Sequence, residues 1–253
     1  MDMSKLLNIR LFIFYMFALS VLFTVNRSLA DAANNKYVYA GCSDWKPYCY
    51  KENGQLQGSL VDISKAILNE ADIKYTFNVF PWVRVYHKGL NEADFLVLGL
   101  GRTPKRESLF KWIAPLKKPA KIHAYQSADS EISLTNTDDL KDYIIVVERA
   151  SYTHDYLIDR GHDEDKLLTV SRYSQIFKVL LHGRAQLFLL DDGAFKPEVL
   201  RSGFDPDLFQ RSILAFTVTE YLATSLKTSD EMVEKIQLSY AELMKQGKID
   251  LPD

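Results

Sequence analysis

The sequence predicts an α/β protein with two series of alternating strands and helices, each series forming a mainly parallel sheet flanked by helices. Three observations support this fold class. The chain has 253 residues, enough for two lobes of about 100 residues each. Its apolar residues alternate between the spacing of strands and the spacing of helices. A polar, strand-poor stretch over residues 126–142 separates the two series, without a Gly/Ser linker or a repeat. Small ligands usually bind in the cleft between two such lobes.

The first thirty residues have the pattern of a secretory signal peptide. Lys5 and Arg10 precede an uncharged apolar run over residues 11–23, and small residues at positions 28 and 30 supply a cleavage site. The run is shorter than the roughly 20 residues of a membrane-spanning helix, although an uncleaved anchor is the alternative. We therefore expect cleavage near Ala30 and a soluble, periplasmic mature protein.

The first series has the order strand, helix, strand, helix, strand. A short strand over 37–40 is followed by a turn-rich segment, and then Ser59 and Asp62 have the spacing of a capping box that opens a helix. The inward face of this helix carries Leu60, Ile63, Ile67, Leu68 and Ala71. The later elements are a strand over 74–80, a helix from Pro81 and a buried strand over 95–98.

Cys42 and Cys49 enclose the loop 43–48 near the start of the first series. An oxidising compartment permits a disulfide that closes this loop, and Pro47 would help the chain to turn back. Two buried free thiols are the alternative. The two cysteines have no neighbouring histidine, so they do not make a zinc site.

The second series repeats the alternation beyond residue 142. Its elements are a strand over 143–147, a helix over 151–160, a strand over 167–170, a helix over 174–182, a strand over 186–190 and an apolar segment over 213–218. Gly161 and Gly183 follow the two helices, as expected at helix ends. A long final helix over 229–246 ends at Gly247.

Composition and motifs exclude several functional classes. The chain has 31 basic and 33 acidic residues, whereas a dedicated nucleic-acid binder normally has a basic excess. Its five histidines are far apart, and it has no Gly-x-Ser-x-Gly, His-Glu-x-x-His or phosphate-binding loop motif. We expect no nucleic-acid partner, no metal, no cofactor and no catalytic set.

The loop after the first strand is a candidate ligand contact, because open parallel sheets bind ligands at the carboxyl ends of their strands. Trp45 and Tyr48 could form an apolar or cation-accepting wall. Asp44 could pair with an ammonium group. The alternative is that these aromatic residues only pack the loop onto the core.

A basic segment follows the last strand of the first series. Arg102 and Arg106, with Lys105 between them, could clamp a carboxylate, because a guanidinium forms bidentate charge-assisted pairs. A solvated basic turn explains the same composition.

Two polar sites follow strands of the second series. The helix start at Ser151 and Tyr152 could hold an anion with its free N–H groups, although N-capping by Ser151 explains it equally well. Asp191 follows the strand over 186–190 and could bind a ligand's ammonium group, or it could only cap the next helix.

Several segments, in order along the chain, carry a family resemblance. They are the loop 44–48, Gly58 with 61–63, Pro81-Trp82, the segment 102–107, the aromatic segment 110–115 and the final helix with Gly247. Together they resemble the extracellular solute-binding protein family 3, the polar-amino-acid type of periplasmic binding protein that serves ABC transporters.

The resemblance implies a two-lobed, hinged fold of the type II periplasmic-binding-protein class. Lobe 1 would comprise residues 31–121 plus 219–253, and lobe 2 residues 122–218. In this family the residue matching Arg106 binds the ligand's α-carboxylate and the residue matching Asp191 binds its α-amino group. Ser151 and Tyr152 would add donors, and the matching segments add Trp82 and Thr103 to the ligand-binding set.

Two departures from the family pattern concern the ligand. Gly99-Leu100-Gly101 lacks the hydroxyl residues common before the arginine, and Ala150-Ser151-Tyr152 replaces a Gly-Ser-Thr-like helix start. These changes count against an ordinary α-amino acid as the ligand and leave a more acidic or more aromatic small molecule as an alternative.

The leading hypothesis is therefore a monomeric periplasmic binding protein. It would capture a small polar, amino-acid-like, carboxylate-bearing ligand and deliver it to the membrane permease of an ABC importer. One alternative is an enzyme similar to the periplasmic cyclohexadienyl dehydratases, which share this architecture. The other is a ligand-binding partner of a membrane sensor.

Overall fold

The computed structural model describes residues 36–252, so the expected signal peptide lies outside the described residues. The strands are β1 (Tyr37–Cys42), β2 (Tyr50–Glu52), β3 (Gln55–Gln57), β4 (Lys74–Val79), β5 (Phe95–Gly101), β6 (Phe110–Pro115), β7 (Ala120–Ser127), β8 (Ile145–Glu148), β9 (Leu167–Val170), β10 (Leu187–Asp191), β11 (Phe209–Val218) and β12 (Glu220–Ser225). The helices are α1 (Ser59–Glu70), α2 (Trp82–Asn91), α3 (Tyr152–Asp159), α4 (Tyr173–Leu181), α5 (Asp192–Arg201) and α6 (Asp230–Lys245).

The first sheet has the strand order β4-β1-β5-β12-β6. Strand β5 is buried along its whole length, as its continuous apolar sequence requires of a central strand. It runs parallel to β1 and antiparallel to β12, which in turn runs antiparallel to β6. Helices α1 and α6 contribute apolar faces to the same core, among them Ile67 and Ile236.

The second sheet has the order β11-β7-β10-β8-β9. Strand β8 runs parallel to β9 and β10, whereas β7 runs antiparallel to β10 and β11. The α/β class is confirmed. Both sheets are mixed, because one strand in each runs antiparallel to its neighbours: β12 in the first sheet and β7 in the second. Each of these strands follows one of the chain's two passages between the sheets. The passages lie between β6 and β7 and between β11 and β12, and the predicted lobe boundaries stay a prediction.

The predicted elements are present with small shifts of their ends, but the capping box at the start of α1 is absent. The N-cap is Gly58, with φ 124°, and no side chain caps the helix. Only glycine adopts this backbone conformation readily. Ser59 is instead the first helical residue.

Several elements were not predicted: β2, β3, β6, β7, β12 and α5. The β2–β3 hairpin is short and mostly exposed, so it has no apolar alternation. Strands β6 and β7 flank a segment with two lysines and one proline, which obscures their periodicity. Among the described residues, no helix combines the length and the apolar character needed to cross a bilayer.

Candidate functional site

The loop after β1 is closed by a disulfide between Cys42 and Cys49, whose Cα atoms lie 6.4 Å apart. The bond therefore forms, as one of the two sequence interpretations expected. Within the loop, the Trp45 amide donates to the Cys49 carbonyl, and the rings of Trp45 and Tyr48 lie 4.6 Å apart. Both aromatic side chains are buried. The loop thus directs two rings towards the second sheet.

A small cavity of about 20 Å³ lies between the two sheets. It is lined by Ser43, Trp45, Trp82, Gly99, Glu148, Ser151, Tyr152 and Tyr173. Both sheets supply residues, because Trp45 and Trp82 follow strands of the first sheet while Tyr152 and Tyr173 begin helices that follow strands of the second. The predicted residues Trp45, Trp82, Ser151 and Tyr152 therefore meet at one place.

A larger groove of about 470 Å³ adjoins the cavity. The two share Ser43, Trp82, Glu148 and Tyr173 as lining residues. Asp44, also predicted, lines this groove and forms an ion pair with Arg201, with 2.7 Å between the charged atoms. The cavity is the inner end of an open groove between the sheets.

Four of the eight residues that line the cavity are aromatic. The rings of Trp45 and Tyr173 are nearly parallel, with centroids 6.4 Å apart and planes inclined by 16°. Among the described residues, the Trp45 Nε1 has no hydrogen-bond partner, so it is a buried donor available to a ligand or to water. The buried Tyr152 hydroxyl faces the Glu220 carboxyl group.

Two buried carboxylates flank the same space. Glu148 ends β8 and is 5% exposed, and Glu220 begins β12 and is fully buried. Burial raises the pKa of Glu148 to about 8, and the nearby Glu198 carboxylate acts in the same direction. Burial also raises the pKa of Glu220 to about 8, although the Lys117 ammonium opposes this. Neither carboxylate has an ion-pair partner within residues 36–252.

Arg106 is buried, but its guanidinium is already paired within the protein. The Arg106 Nη2 lies 2.7 Å from the Asp155 carboxylate, and Nε donates to the same oxygen at 2.9 Å. Nη2 also donates to the Ala150 carbonyl at 3.0 Å, and Nη1 to the Gly101 carbonyl at 3.5 Å. Since Asp155 lies on α3, this ion pair joins the two sheets.

Asp191 is also paired within the protein. Its carboxylate lies 2.6 Å from the Lys117 ammonium and accepts a 2.9 Å hydrogen bond from the Tyr48 hydroxyl. Asp191 also caps α5, because its carboxylate accepts a hydrogen bond from the Gly193 amide. The alternative interpretation, in which Asp191 caps the next helix, therefore accounts for one of its contacts. The Lys117 ammonium lies 3.8 Å from the centre of the Tyr48 ring.

Two of the predicted ligand contacts lie elsewhere. Arg102 is exposed, pairs with Glu107 and lies over the rings of Trp112 and Tyr221. Thr103 and Arg102 line a separate groove, together with Tyr156 and Phe216. Arg102 therefore lies at the surface, as the alternative interpretation of this segment as a solvated basic turn expected. Within the segment 102–106, Arg106 is buried and Thr103 is half-buried, whereas the other three residues are exposed.

The sequence analysis did not identify Glu148, Tyr173, Lys117, Asp155 or Glu220 as site residues. Glu148 could have been identified from the sequence because, like Asp191, it is an acidic residue at the carboxyl end of an apolar strand. Lys117 and Glu220 lie in or beside the passages between the sheets, where no local pattern marks them.

The described residues contain no group of three or more His, Cys, Asp and Glu side chains that could hold a metal ion. The site itself combines aromatic rings, carboxyl groups and internally paired cations.

A family profile described as "Bacterial extracellular solute-binding proteins, family 3" matches residues 37–251 of the chain. Comparison with curated proteins found no matching relative.

Solved structures share the fold. A histidine kinase sensor domain with similarity to periplasmic binding proteins superposes with a TM-score of 0.76 at 16% identity, covering 85% of this chain and 93% of its own. A mutant of ArgBP from T. maritima gives 0.72 at 20% identity, with coverages of 87% and 94%. The arginine-, lysine-, histidine-binding protein ArtJ from Geobacillus stearothermophilus gives 0.73 at 16% identity, with coverages of 84% and 91%. These likenesses show the two-lobed binding-protein fold.

Proposed function

Because the chain belongs to the bacterial extracellular solute-binding proteins, family 3, we propose that it captures a small polar, amino-acid-sized ligand between two hinged lobes. It then delivers this ligand, in the periplasm, to the permease of an ABC importer. The observation that carries the proposal is the cavity between the two sheets, to which residues following strands of both sheets supply aromatic rings and β8 supplies the carboxyl group of Glu148.

Ligand binding would shift a hinge equilibrium towards closure, because the closed state gains contacts from both lobes. The two passages of the chain between the sheets, 116–119 and Thr219, are the natural hinge. The ion pair between Arg106 and Asp155 and the Tyr48–Asp191 hydrogen bond would form and break with this motion.

The direct test is a thermal-shift screen of the chain without residues 1–30 against amino acids, di-acids, amines and short peptides. A true ligand at 100 times its Kd stabilises the protein by about 2.7 kcal/mol, which is an easily measured rise in Tm. If no compound raises the Tm and no small molecule co-purifies with the protein, the proposal is wrong.

Matched variants locate the ligand. Trp45→Leu removes a ring from the cavity wall, and we expect it to abolish the ligand-induced rise in Tm. Trp112→Leu is the control, because Trp112 packs against Phe110 and Tyr221 outside the cavity. A rise retained by Trp45→Leu and lost by Trp112→Leu would place the ligand elsewhere.

A second candidate function is proton-transfer catalysis, since a carboxyl group with a pKa of about 8 can act as a general acid near neutral pH. This would match the dehydratase-like alternative. Turnover of prephenate or arogenate by the purified protein would favour it, and binding without turnover would favour transport. Loss of ligand uptake in cells that lack the chain would separate transport from a role as a sensor's partner.

A further inference from the structure

We propose that this site selects a small organic cation through its amine group and does not recognise a carboxylate on the ligand. The inference rests on the proposed function and specifies its substrate class.

The first step is that Arg106 has no free edge for a ligand's carboxylate. Its three guanidinium nitrogens are within hydrogen-bonding distance of the Asp155 carboxylate and two backbone carbonyls. The rings of Trp82 and Tyr86 lie 5.9 and 5.0 Å from its central carbon. The second oxygen of Asp155 is paired with Lys105 at 3.1 Å. A carboxylate could bind Arg106 only by displacing one that the chain itself supplies.

The second step is that Asp191 has a cation of its own. Lys117 and Asp191 form a fully desolvated pair, and removing one partner of such a pair is costly. The two groups expected to bind the head of an α-amino acid are therefore each neutralised within the protein.

The third step is that the ionisable groups left without an ion-pair partner beside the cavity are both carboxyl groups. Glu148 lines the cavity and Glu220 lies behind Gly99 in its wall, and neither has a cationic partner among the described residues. A buried carboxylate without a partner is unfavourable, so a cation placed here would be stabilised by both. The faces of Trp45 and Tyr173 add cation–π attraction.

The fourth step concerns the volumes of the cavity and of the adjoining groove. A cavity of about 20 Å³ holds roughly one water-sized group, which fits an ammonium head. The adjoining groove of about 470 Å³ has room for the remainder of the molecule. Its walls include the ring of Phe80 and the side chain of Pro81, which suit an aliphatic or aromatic body.

The test compares each amino acid with its decarboxylated amine by isothermal titration calorimetry on the wild-type mature chain. The pairs are arginine and agmatine, lysine and cadaverine, and tyrosine and tyramine, with glutarate as a ligand that has no amine. For any pair in which at least one compound binds the protein, we expect the amine to bind at least as tightly as the amino acid. Tighter binding of the amino acid by more than threefold, or binding of glutarate alone, overturns the inference and leaves the proposed function standing. Absence of binding by every compound counts against the proposed function itself.

Charge-removing variants give the second measurement. Glu148→Gln and Glu220→Gln keep the side-chain size, and we expect each to weaken binding of the amine at least tenfold. Glu131→Gln is the control, because Glu131 is exposed, and it should bind as the wild type does. Wild-type affinity in both cavity variants, each folded by circular dichroism, would overturn the inference.

Discussion

The buried acids of the site differ in whether the protein supplies them with a cation. Asp155 and Asp191 are paired with Arg106 and Lys117, respectively. Glu148 and Glu220 are not paired, and burial raises the pKa of each to about 8. Since an isolated buried charge is costly, protonation and a bound cation are the two ways in which these carboxyl groups can be accommodated.

The raised pKa values of Glu148 and Glu220 predict how the unfolding free energy of the ligand-free protein depends on pH. Both carboxyl groups have an ordinary pKa of 4.5 and a raised pKa in the folded protein. Between about pH 4.5 and 8 the folded state therefore binds more protons than the unfolded state, and the contribution to the unfolding free energy falls as pH rises. The charged groups facing them are Glu198 near Glu148, and Lys117 and Asp191 near Glu220. Urea unfolding at pH 5, 6, 7 and 8 measures this trend.

The variant Glu220→Gln isolates the effect. Its stability relative to the wild type should improve as pH rises from 5 to 8, whereas the exposed Glu131→Gln should show a constant difference. A constant difference for Glu220→Gln as well would mean that Glu220 titrates normally in the folded protein.

Among the elements, the disulfide-closed loop between β1 and β2 most directly shapes the site. It holds Trp45 at the cavity and Tyr48 against Asp191, and its Lys46 amide donates to Glu198 of α5 at 2.6 Å. A short covalent ring limits the conformations open to these side chains in the unfolded chain and in the ligand-free protein.

Removal of the disulfide should affect both stability and binding. The double variant Cys42→Ser, Cys49→Ser should lower the unfolding free energy by about 2 kcal/mol, the loop-closure value for a ring of this size. It should also weaken ligand binding, because ordering the two rings then costs conformational entropy. Denaturant unfolding and calorimetry measure the two effects. Reductant should have the same effect on the wild type and none on the variant; equal stability with and without the disulfide would contradict the prediction.

Across the whole molecule, the two sheets approach closely at two glycines. A Cβ atom at Gly193 would overlap the Tyr48 hydroxyl, and one at Gly101 would lie 2.7 Å from the Tyr152 ring. Gly101 on β5 and Tyr48 after β1 belong with the first sheet, whereas Gly193 on α5 and Tyr152 on α3 belong to helices that follow strands of the second. Closure therefore depends on the absence of side chains at these positions.

Gly193→Ala should favour the open arrangement of the lobes. We expect a larger radius of gyration in solution scattering and weaker ligand binding, because the added methyl group opposes the Tyr48–Asp191 contact. Lys196→Ala, at an exposed position of the same helix, is the control and should change neither property. Unchanged ligand affinity in Gly193→Ala would show that closure does not require this contact.

Much of the fold was predictable, because it depends on local signals. The strand over 167–170 and the α6 helix, with its Ser229 cap, follow directly from the sequence pattern. Short or central strands such as β12 were missed, since their burial comes from neighbours distant along the chain. The site was partly predictable, because residues at the carboxyl ends of parallel strands meet at one edge of a sheet. Thr103 and Arg102 follow β5 at that edge, but the turn after it directs them away.

By itself, the sequence determined the alternation of strands and helices, the aromatic loop between the cysteines and the family to which the chain belongs, since these depend on neighbouring residues. Only the tertiary structure decided which charges are paired. Arg106 meets Asp155 from 49 positions away, and Lys117 meets Asp191 from 74. Such pairs depend on how the two sheets approach each other, which no local pattern encodes. The same approach leaves Glu148 and Glu220 unpaired beside the cavity.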